Sequence, residues 1–128
     1  MNVFDIIGPV MVGPSSSHTA GAVRIAAVTR KLLGEEVKQA IIKLHGSFAN
    51  TYKGHGTDRA IIGGLLGYKV DNPDIRESLK HAEDIGLIYS FETADLGDVH
   101  PNTVLIEATG VSGKKIEVMG CSVGGGRI

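Results

Sequence analysis

Two short segments combine glycine, hydroxyl and histidine residues directly before a helix-like pattern. The first is GPSSSHT, which contains Ser15, Ser16, Ser17, His18 and Thr19. Backbone N–H groups at a helix N-terminus are unpaired donors and the dipole there favours negative charge, so this segment suits a carboxylate or phosphate. A plain serine N-cap explains the serines alone. His18 favours a site, because a charged histidine is disfavoured in a first helical turn, whereas a neutral one binds ligands or transfers protons.

The second segment is HGSFANTYKGHGTD, residues 45–58. His55 lies between two glycines, which leave room for a substrate, and an imidazole suits general acid/base catalysis at neutral pH. A tight turn with an exposed histidine is the alternative for this tripeptide. Because two such segments precede two predicted helices, we favour a functional site. Its further candidate binding residues are His45, Ser47, Lys53, Thr57 and Asp58.

Other motifs are weaker. DVHPNT, residues 98–103, is equally consistent with a plain turn that enters a strand. His81 is interpreted as a solvated residue in mid-helix. GPSSSHT lacks the Gly-Lys ending of a phosphate-binding P-loop, and the chain has no G-x-S-x-G nucleophile elbow. A site made of His18, His45 and His55 has no recognised ligand spacing, so we predict no metal site in this chain.

Composition restricts the class of protein. The 128 residues are 42% hydrophobic with a net charge of −1, which predicts one domain, residues 1–128, without the cationic face that nucleic acid or an anionic membrane requires. The N-terminus has no cationic signal-peptide pattern and no apolar run would span a bilayer, so we expect a cytoplasmic protein. Cys121 is the single cysteine, whereas an iron–sulfur cluster takes about four thiolates.

Hydrophobic periodicity predicts an α+β fold: a two-layer domain with a small mixed β-sheet of about four strands and helices packed on one face. The Gly63-Gly64 pair lies inside a predicted helix, where it predicts close packing against another element. The predicted elements are an extended segment or strand over 3–12, a helix over 17–33, a strand over 37–45, a helix from Thr57 to near Gly67, a helix over 74–85, a strand over 88–95 and a hairpin around 111–113. The first segment is expected to be broken at Gly8-Pro9. The helix over 74–85 is amphipathic, with Ile75, Leu79, Ala82 and Ile85 on one side.

Four segments together resemble a known family. They are VFDIIGPVMVGPSSSHTAGAVR, YKGHGTDRAIIGGLLG, VHPNT and SVGGGRI, which occur in order across essentially the whole chain. They are similar to the β chain of the iron–sulfur-dependent bacterial L-serine dehydratases. That resemblance implies deamination of L-serine to pyruvate and ammonia, with a [4Fe–4S] cluster held by cysteines of a separate α chain and not by this one.

The resemblance also implies roles for the two segments. His55 is expected to be the base or a proton-handling residue, and His18 is expected to orient the substrate with Ser15, Ser16, Ser17 and Thr19. The expected partners are the α chain, the substrate L-serine and further copies in a homo-oligomer, and the isolated chain is expected to be inactive. Family β chains continue into an ACT domain, which we expect to be absent here. The alternative is an allosteric module, like that of some phosphoglycerate dehydrogenases, which binds serine or another small anion without catalysis.

Overall fold

A five-stranded mixed β-sheet forms the centre of the described chain. The computed structural model describes residues 5–15, 18–46, 56–68, 73–97 and 103–124. The elements are β1 (Asp5–Ser15), α1 (His18–Leu33), β2 (Val37–Leu44), α2 (Thr57–Leu65), a 3-10 helix (Pro73–Glu77), α3 (Ser78–Ile85), β3 (Ile88–Thr93), β4 (Thr103–Gly110) and β5 (Lys115–Gly124). The α+β class is confirmed, with one strand more than the predicted four. No helix in these ranges is long and apolar enough to cross a membrane.

Strand order in the sheet is β1-β5-β4-β2-β3. β1 pairs with β5 and β2 pairs with β3 in parallel, whereas β4 is antiparallel to both β2 and β5. Four strands therefore point in one direction and β4 alone points in the other. This arrangement decides which loops of the chain lie at the same end of the sheet.

The strand predicted over 3–12 is confirmed as the edge strand β1, but the break predicted at Gly8-Pro9 is a shift of register and not an end of the strand. The strand continues to Ser15, and its register against β5 shifts between Ile7 and Val10 and again between Val12 and Ser15. Each shift coincides with a Gly-Pro pair. Proline has no N–H for the ladder, so edge strands and bulges are where a sheet accepts it. The two Gly-Pro pairs therefore bulge the strand without ending it.

The core lies between the sheet and the helices, as the predicted two-layer fold requires. Ala40, Ile42 and Leu44 of β2 are fully buried, whereas Ile41 and Lys43, which alternate with them, are only partly buried. α1 lies directly on the sheet, because a methyl group added at Gly120 of β5 would lie 2.6 Å from Ile25 Cγ2. The alternation shows that the helices cover one face of the sheet.

Two details of the predicted helix over 74–85 are corrected. Its first turn is the 3-10 helix Pro73–Glu77, and α3 begins at Ser78. Ile75 and Ala82 are buried as predicted, but Ile85 is 65% exposed. Ile85 is the last residue of α3, and the chain leaves the helix through Gly86 at a φ of 80°. The apolar stripe therefore ends one turn before the periodicity suggested.

Candidate functional site

One edge of the sheet collects the ends of four strands and the start of the fifth. Because β1, β2, β3 and β5 point the same way, their carboxyl ends lie at a common edge, and β4 begins there because it is antiparallel. We call this end the carboxyl edge. Its described residues include Ser15, His45, Leu96, Thr103 and Gly124. Crevices at the carboxyl ends of parallel strands are the usual ligand sites of α/β sheets.

Every loop that carries a predicted motif is attached to this edge. GPSSSHT spans the end of β1 and the start of α1, HGSFANTYKGHGTD follows β2, DVHPNT joins β3 to β4, and SVGGGRI contains the end of β5. Along the chain, these motifs are up to about 100 residues apart. The topology of the sheet brings the described ends of all four segments to the same end of the sheet.

The predicted site residues divide into three groups. The backbone places Ser15 at the end of β1, and His18 and Thr19 in the first turn of α1. His45, Thr57 and Asp58 are described together with their side chains. The remaining candidates lie outside the described residues; they are Ser16, Ser17, Ser47, Lys53 and His55. They belong to the segments that connect β1 to α1 and β2 to α2.

The helices α1 and α2 pack directly against each other. Gly64 of α2 contacts Val23 and Ala26 of α1, and a methyl group there would lie 2.6 Å from Ala26 Cβ and 2.6 Å from the Val23 carbonyl oxygen. Further along both helices, Arg30 Nη1 donates to the Leu65 carbonyl at 3.1 Å. Close packing at the glycine pair was predicted, and it is confirmed.

The start of α1 lies at the carboxyl edge, because His18 follows Ser15, the last residue of β1, by three residues. The first N–H groups of a helix have no partner within the helix, and the positive end of the helix dipole lies there. The start of α1 thus supplies positive potential at the carboxyl edge.

The entry into α2 depends on glycine. Gly56, the residue before the helix, has a φ of 87°, in the left-handed region that residues with a Cβ rarely adopt, and no side chain caps it. Thr57 is buried, at 1% exposure. Asp58 is partly exposed, and its Oδ1 accepts the N–H of Arg59 at 2.8 Å. Asp58 therefore satisfies a donor of the first turn, as an acidic residue there is expected to do.

His45 connects the end of β2 to both of its neighbours. Its Nδ1 accepts the N–H of Leu96 at 3.1 Å, and its own N–H donates to the Thr103 carbonyl at 3.1 Å. A neutral His45 whose Nδ1 accepts carries its proton on Nε2. The predicted binding residue is thus already engaged at one ring nitrogen, an arrangement that sequence spacing gives no means of detecting.

The interpretation of His81 as a solvated surface residue is wrong. Its side chain is partly buried, its Nδ1 lies 2.6 Å from the Tyr68 hydroxyl, and the two rings meet edge to face with centroids 5.9 Å apart. Helical periodicity missed this contact because Tyr68 follows α2 and lies 13 residues away. The pair joins the end of α2 to α3 and is separate from the carboxyl edge.

Within the described ranges, no group of three or more His, Cys, Asp or Glu residues could hold a metal ion. Cys121 is a buried free thiol on β5. Burial raises the pKa of its thiol, which disfavours the thiolate form that metals bind. The single cysteine of the chain thus does not provide a cluster site.

Comparison with known proteins agrees with the resemblance of the motifs. Residues 2–95 match the family described as Serine dehydratase beta chain. The chain is 49% identical over 98% of its length to the L-serine dehydratase, beta chain, of Peptoniphilus asaccharolyticus, and 52% identical over 99% to the probable L-serine dehydratase, beta chain, of Bacillus subtilis. It spans 57% of the length of each of those two relatives.

A third relative has a different organisation. L-serine dehydratase 2 of Escherichia coli is 37% identical over 66% of this chain, and the matched part is 20% of that protein. The same unit is thus found both in proteins named beta chains and inside a much longer dehydratase chain. On the family match and the two near-complete alignments, the chain belongs to the serine dehydratase β-chain family.

Proposed function

We propose that this chain is the β-chain component of an L-serine dehydratase, a lyase that converts L-serine to pyruvate and ammonia together with an α chain. The observation that carries the proposal is the convergence of four motif-bearing segments on the carboxyl edge. The family membership supports the substrate and the reaction class. The proposed enzyme is cytoplasmic, and its oligomeric state stays a prediction.

The proposed roles follow from the chemistry of each residue. The start of α1, with His18, Thr19 and the hydroxyls of residues 15–17, would hold the serine carboxylate, because N–H groups and the helix dipole favour an anion. His55 would remove the α-proton, which requires a base whose neutral form is populated near pH 7. The pocket would be completed by Lys53, Thr57, Asp58 and Ser47, which would hold the substrate against that base, with His45 beside them at the end of β2.

We place the [4Fe–4S] cluster of the proposed enzyme in the α chain. The residues of this chain do not fit it, because the sequence has one cysteine and a cluster takes about four. The buried thiol of Cys121 has a raised pKa, which is unfavourable for metal binding. The isolated chain is accordingly expected to release no pyruvate from serine.

The decisive experiment is the substitution His55→Ala in the complete enzyme, assembled with its α chain. We expect turnover to fall about 10²- to 10⁴-fold, the usual contribution of a general base, while iron and sulfide content stay unchanged. The matched control is His81→Asn, which alters a histidine in the Tyr68 contact away from the carboxyl edge and should leave turnover unaffected.

The opposite result would identify the alternative function. If His55→Ala kept normal turnover and altered only the dependence of rate on serine concentration, the domain would be an allosteric binding module. Release of pyruvate by the chain without any α chain would contradict its assignment as one component of a two-part enzyme.

A further inference from the structure

The end of β3 and the start of β4 lie on opposite sides of the end of β2. In the sheet, β2 lies between β3 and β4, so Thr93, the last residue of β3, and Thr103, the first residue of β4, flank the carboxyl end of β2. Leu44 is the last residue of β2, and its register partners are Thr93 on one side and Val104 on the other. His45 is thus the first residue after β2, between these two strand ends.

Hydrogen bonds from the end of β2 reach both of the neighbouring strand ends. The Leu44 carbonyl accepts the N–H of Ala94 at 2.9 Å. One residue later, the ring Nδ1 of His45 accepts the N–H of Leu96, and its backbone N–H donates to the carbonyl of Thr103, both at 3.1 Å. His45 therefore holds the exit from β3 and the entry into β4 at the same time.

A substitution of His45 would affect only one of its two hydrogen bonds. The bond to Thr103 uses the backbone of His45 and survives any side-chain replacement except proline. The bond to Leu96 uses the imidazole, and it joins positions 51 residues apart in sequence. If the side chain at position 45 has no acceptor at the position of Nδ1, the Leu96 N–H loses its hydrogen bond, whereas the backbone bond to Thr103 remains.

We propose that His45 is a positioning residue of the carboxyl edge, which holds the β3–β4 connection in place through Leu96. This inference rests on the proposed function, since it assumes that the carboxyl edge is the active edge of the dehydratase. The sequence of that connection contains DVHPNT, the weakest of the candidate motifs when considered alone. In this role His45 acts through the connection and does not contact the reacting atoms.

The test compares His45→Asn with His45→Leu in the complete enzyme. Asparagine places its amide oxygen near the position of Nδ1 and can accept from Leu96, whereas leucine has the same branching and no acceptor. We expect His45→Leu to accelerate hydrogen exchange of the Leu96 amide about 3- to 10-fold, the equivalent of one net hydrogen bond. kcat for L-serine should fall at least in proportion, and His45→Asn should restore both quantities.

Two results would overturn the inference. Unchanged exchange at Leu96 in His45→Leu would contradict the hydrogen bond itself. Faster exchange with wild-type kcat and KM would mean that the bond is only structural. If the leucine variant does not fold, His45→Gln takes its place, because glutamine moves its amide towards the position of Nε2 and leaves Nδ1 without a replacement.

The outcome is distinguishable from failure of the proposed function. Loss of turnover in His55→Ala with normal kinetics in His45→Leu would reject the role of His45 and keep the dehydratase assignment. Normal turnover in His55→Ala would reject the catalytic assignment, whatever the exchange rate of the Leu96 amide in the His45 variants.

Discussion

The carboxyl edge differs from the opposite end of the sheet, which we call the amino edge, in how the chain connects its elements. At the amino edge, three connections are short: residues 34–36, 86–87 and 111–114. At the carboxyl edge, the connection from β1 to α1 takes only residues 16–17, but those from β2 to α2 and from β3 to β4 take residues 45–56 and 94–102. Short connections leave little conformational entropy to lose on folding, whereas long ones carry the polar and glycine-rich residues of the motifs.

Side chains strengthen the same contrast. At the amino edge, Glu35 fixes the hairpin turn: its Oε1 accepts the N–H of Ser112 at 2.6 Å and its Oε2 accepts the Ser112 hydroxyl at 2.7 Å. Glu36 adds a backbone bond, because its carbonyl accepts the N–H of Val111 at 3.0 Å. The contrast fits the proposed function, in which the amino edge closes the fold and the carboxyl edge binds the substrate. Substitutions at the two edges should therefore affect different quantities.

The largest effect is expected at the carboxyl edge, from His18→Ala in the complete enzyme. Loss of a group that holds or protonates the substrate should lower kcat/KM about 10²-fold or more. The free energy of unfolding should change little, because a charged histidine in the first turn of α1 is not stabilising. Steady-state kinetics and thermal unfolding measure the two quantities separately.

The matched control for His18 is Lys31→Ala, in the exposed last turn of the same helix. It should leave kcat/KM at the wild-type value. Equal losses of activity in the two variants would contradict the distinction between the edges, since α1 would then respond as a whole.

A smaller effect, now on stability, is expected where α1 and α2 pack. In Gly64→Ala the new methyl group meets Ala26 Cβ and the Val23 carbonyl oxygen, both at 2.6 Å, so a helix backbone must move. Overpacking of this kind costs about 1–3 kcal/mol of unfolding free energy. Chemical denaturation measures the loss. Activity should decline in addition, because a shift of α1 would also move its first turn at the carboxyl edge.

Gly63→Ala is the internal comparison for that prediction. Its methyl group would meet Ser78 Oγ at 2.8 Å and Ile75 Cγ1 at 3.2 Å, which are side-chain atoms that can move without a shift of a helix backbone. Turning Ser78 would break the hydrogen bond that its hydroxyl donates to the Ile75 carbonyl at 2.6 Å, a loss of about 1 kcal/mol. The cost should therefore be smaller than for Gly64→Ala. A larger loss for Gly63→Ala would show that the contact with α3, not the contact with α1, limits the stability of α2.

The course of the backbone was largely predictable from sequence. α1 and β2 begin and end within one residue of their predicted bounds, because Gly34 and the alternation of residues 37–44 are strong local signals. The hairpin around residues 111–113 was likewise predictable from two alternating runs around a short turn. Helix packing at Gly63-Gly64 followed from the cost of glycine in a helix, which needs a compensating contact.

What could not be predicted depends on contacts between distant residues. The convergence of the motifs on one edge follows from the strand order, which puts β5 and β4 between β1 and β2. The bond between His45 and Leu96 and the contact between His81 and Tyr68 need that tertiary arrangement too. Local sequence patterns predict which residue types could form a site. The topology of the sheet shows that the segments that carry these residues are attached to the same end of the sheet.

The smallest effect is expected at the amino edge, from Glu35→Gln. Hydrogen bonds from the Ser112 hydroxyl and N–H hold the pKa of Glu35 below its ordinary value of 4.5 against the opposing effect of burial, and the charge of Lys114 lowers this pKa further. Because the folded state has the lower pKa, the carboxylate stabilises the fold above about pH 4.5, and this contribution is lost as pH falls through the folded-state pKa.

Thermal unfolding of both proteins from pH 7 to pH 3 tests this prediction. Wild type should melt slightly above Glu35→Gln at neutral pH, and the gap should close as the pH falls below 4.5. Turnover should be the same in both proteins. Melting temperatures that stay equally far apart at every pH would show that the Glu35 carboxylate does not stabilise the amino edge. A change in turnover would show that the two edges are coupled.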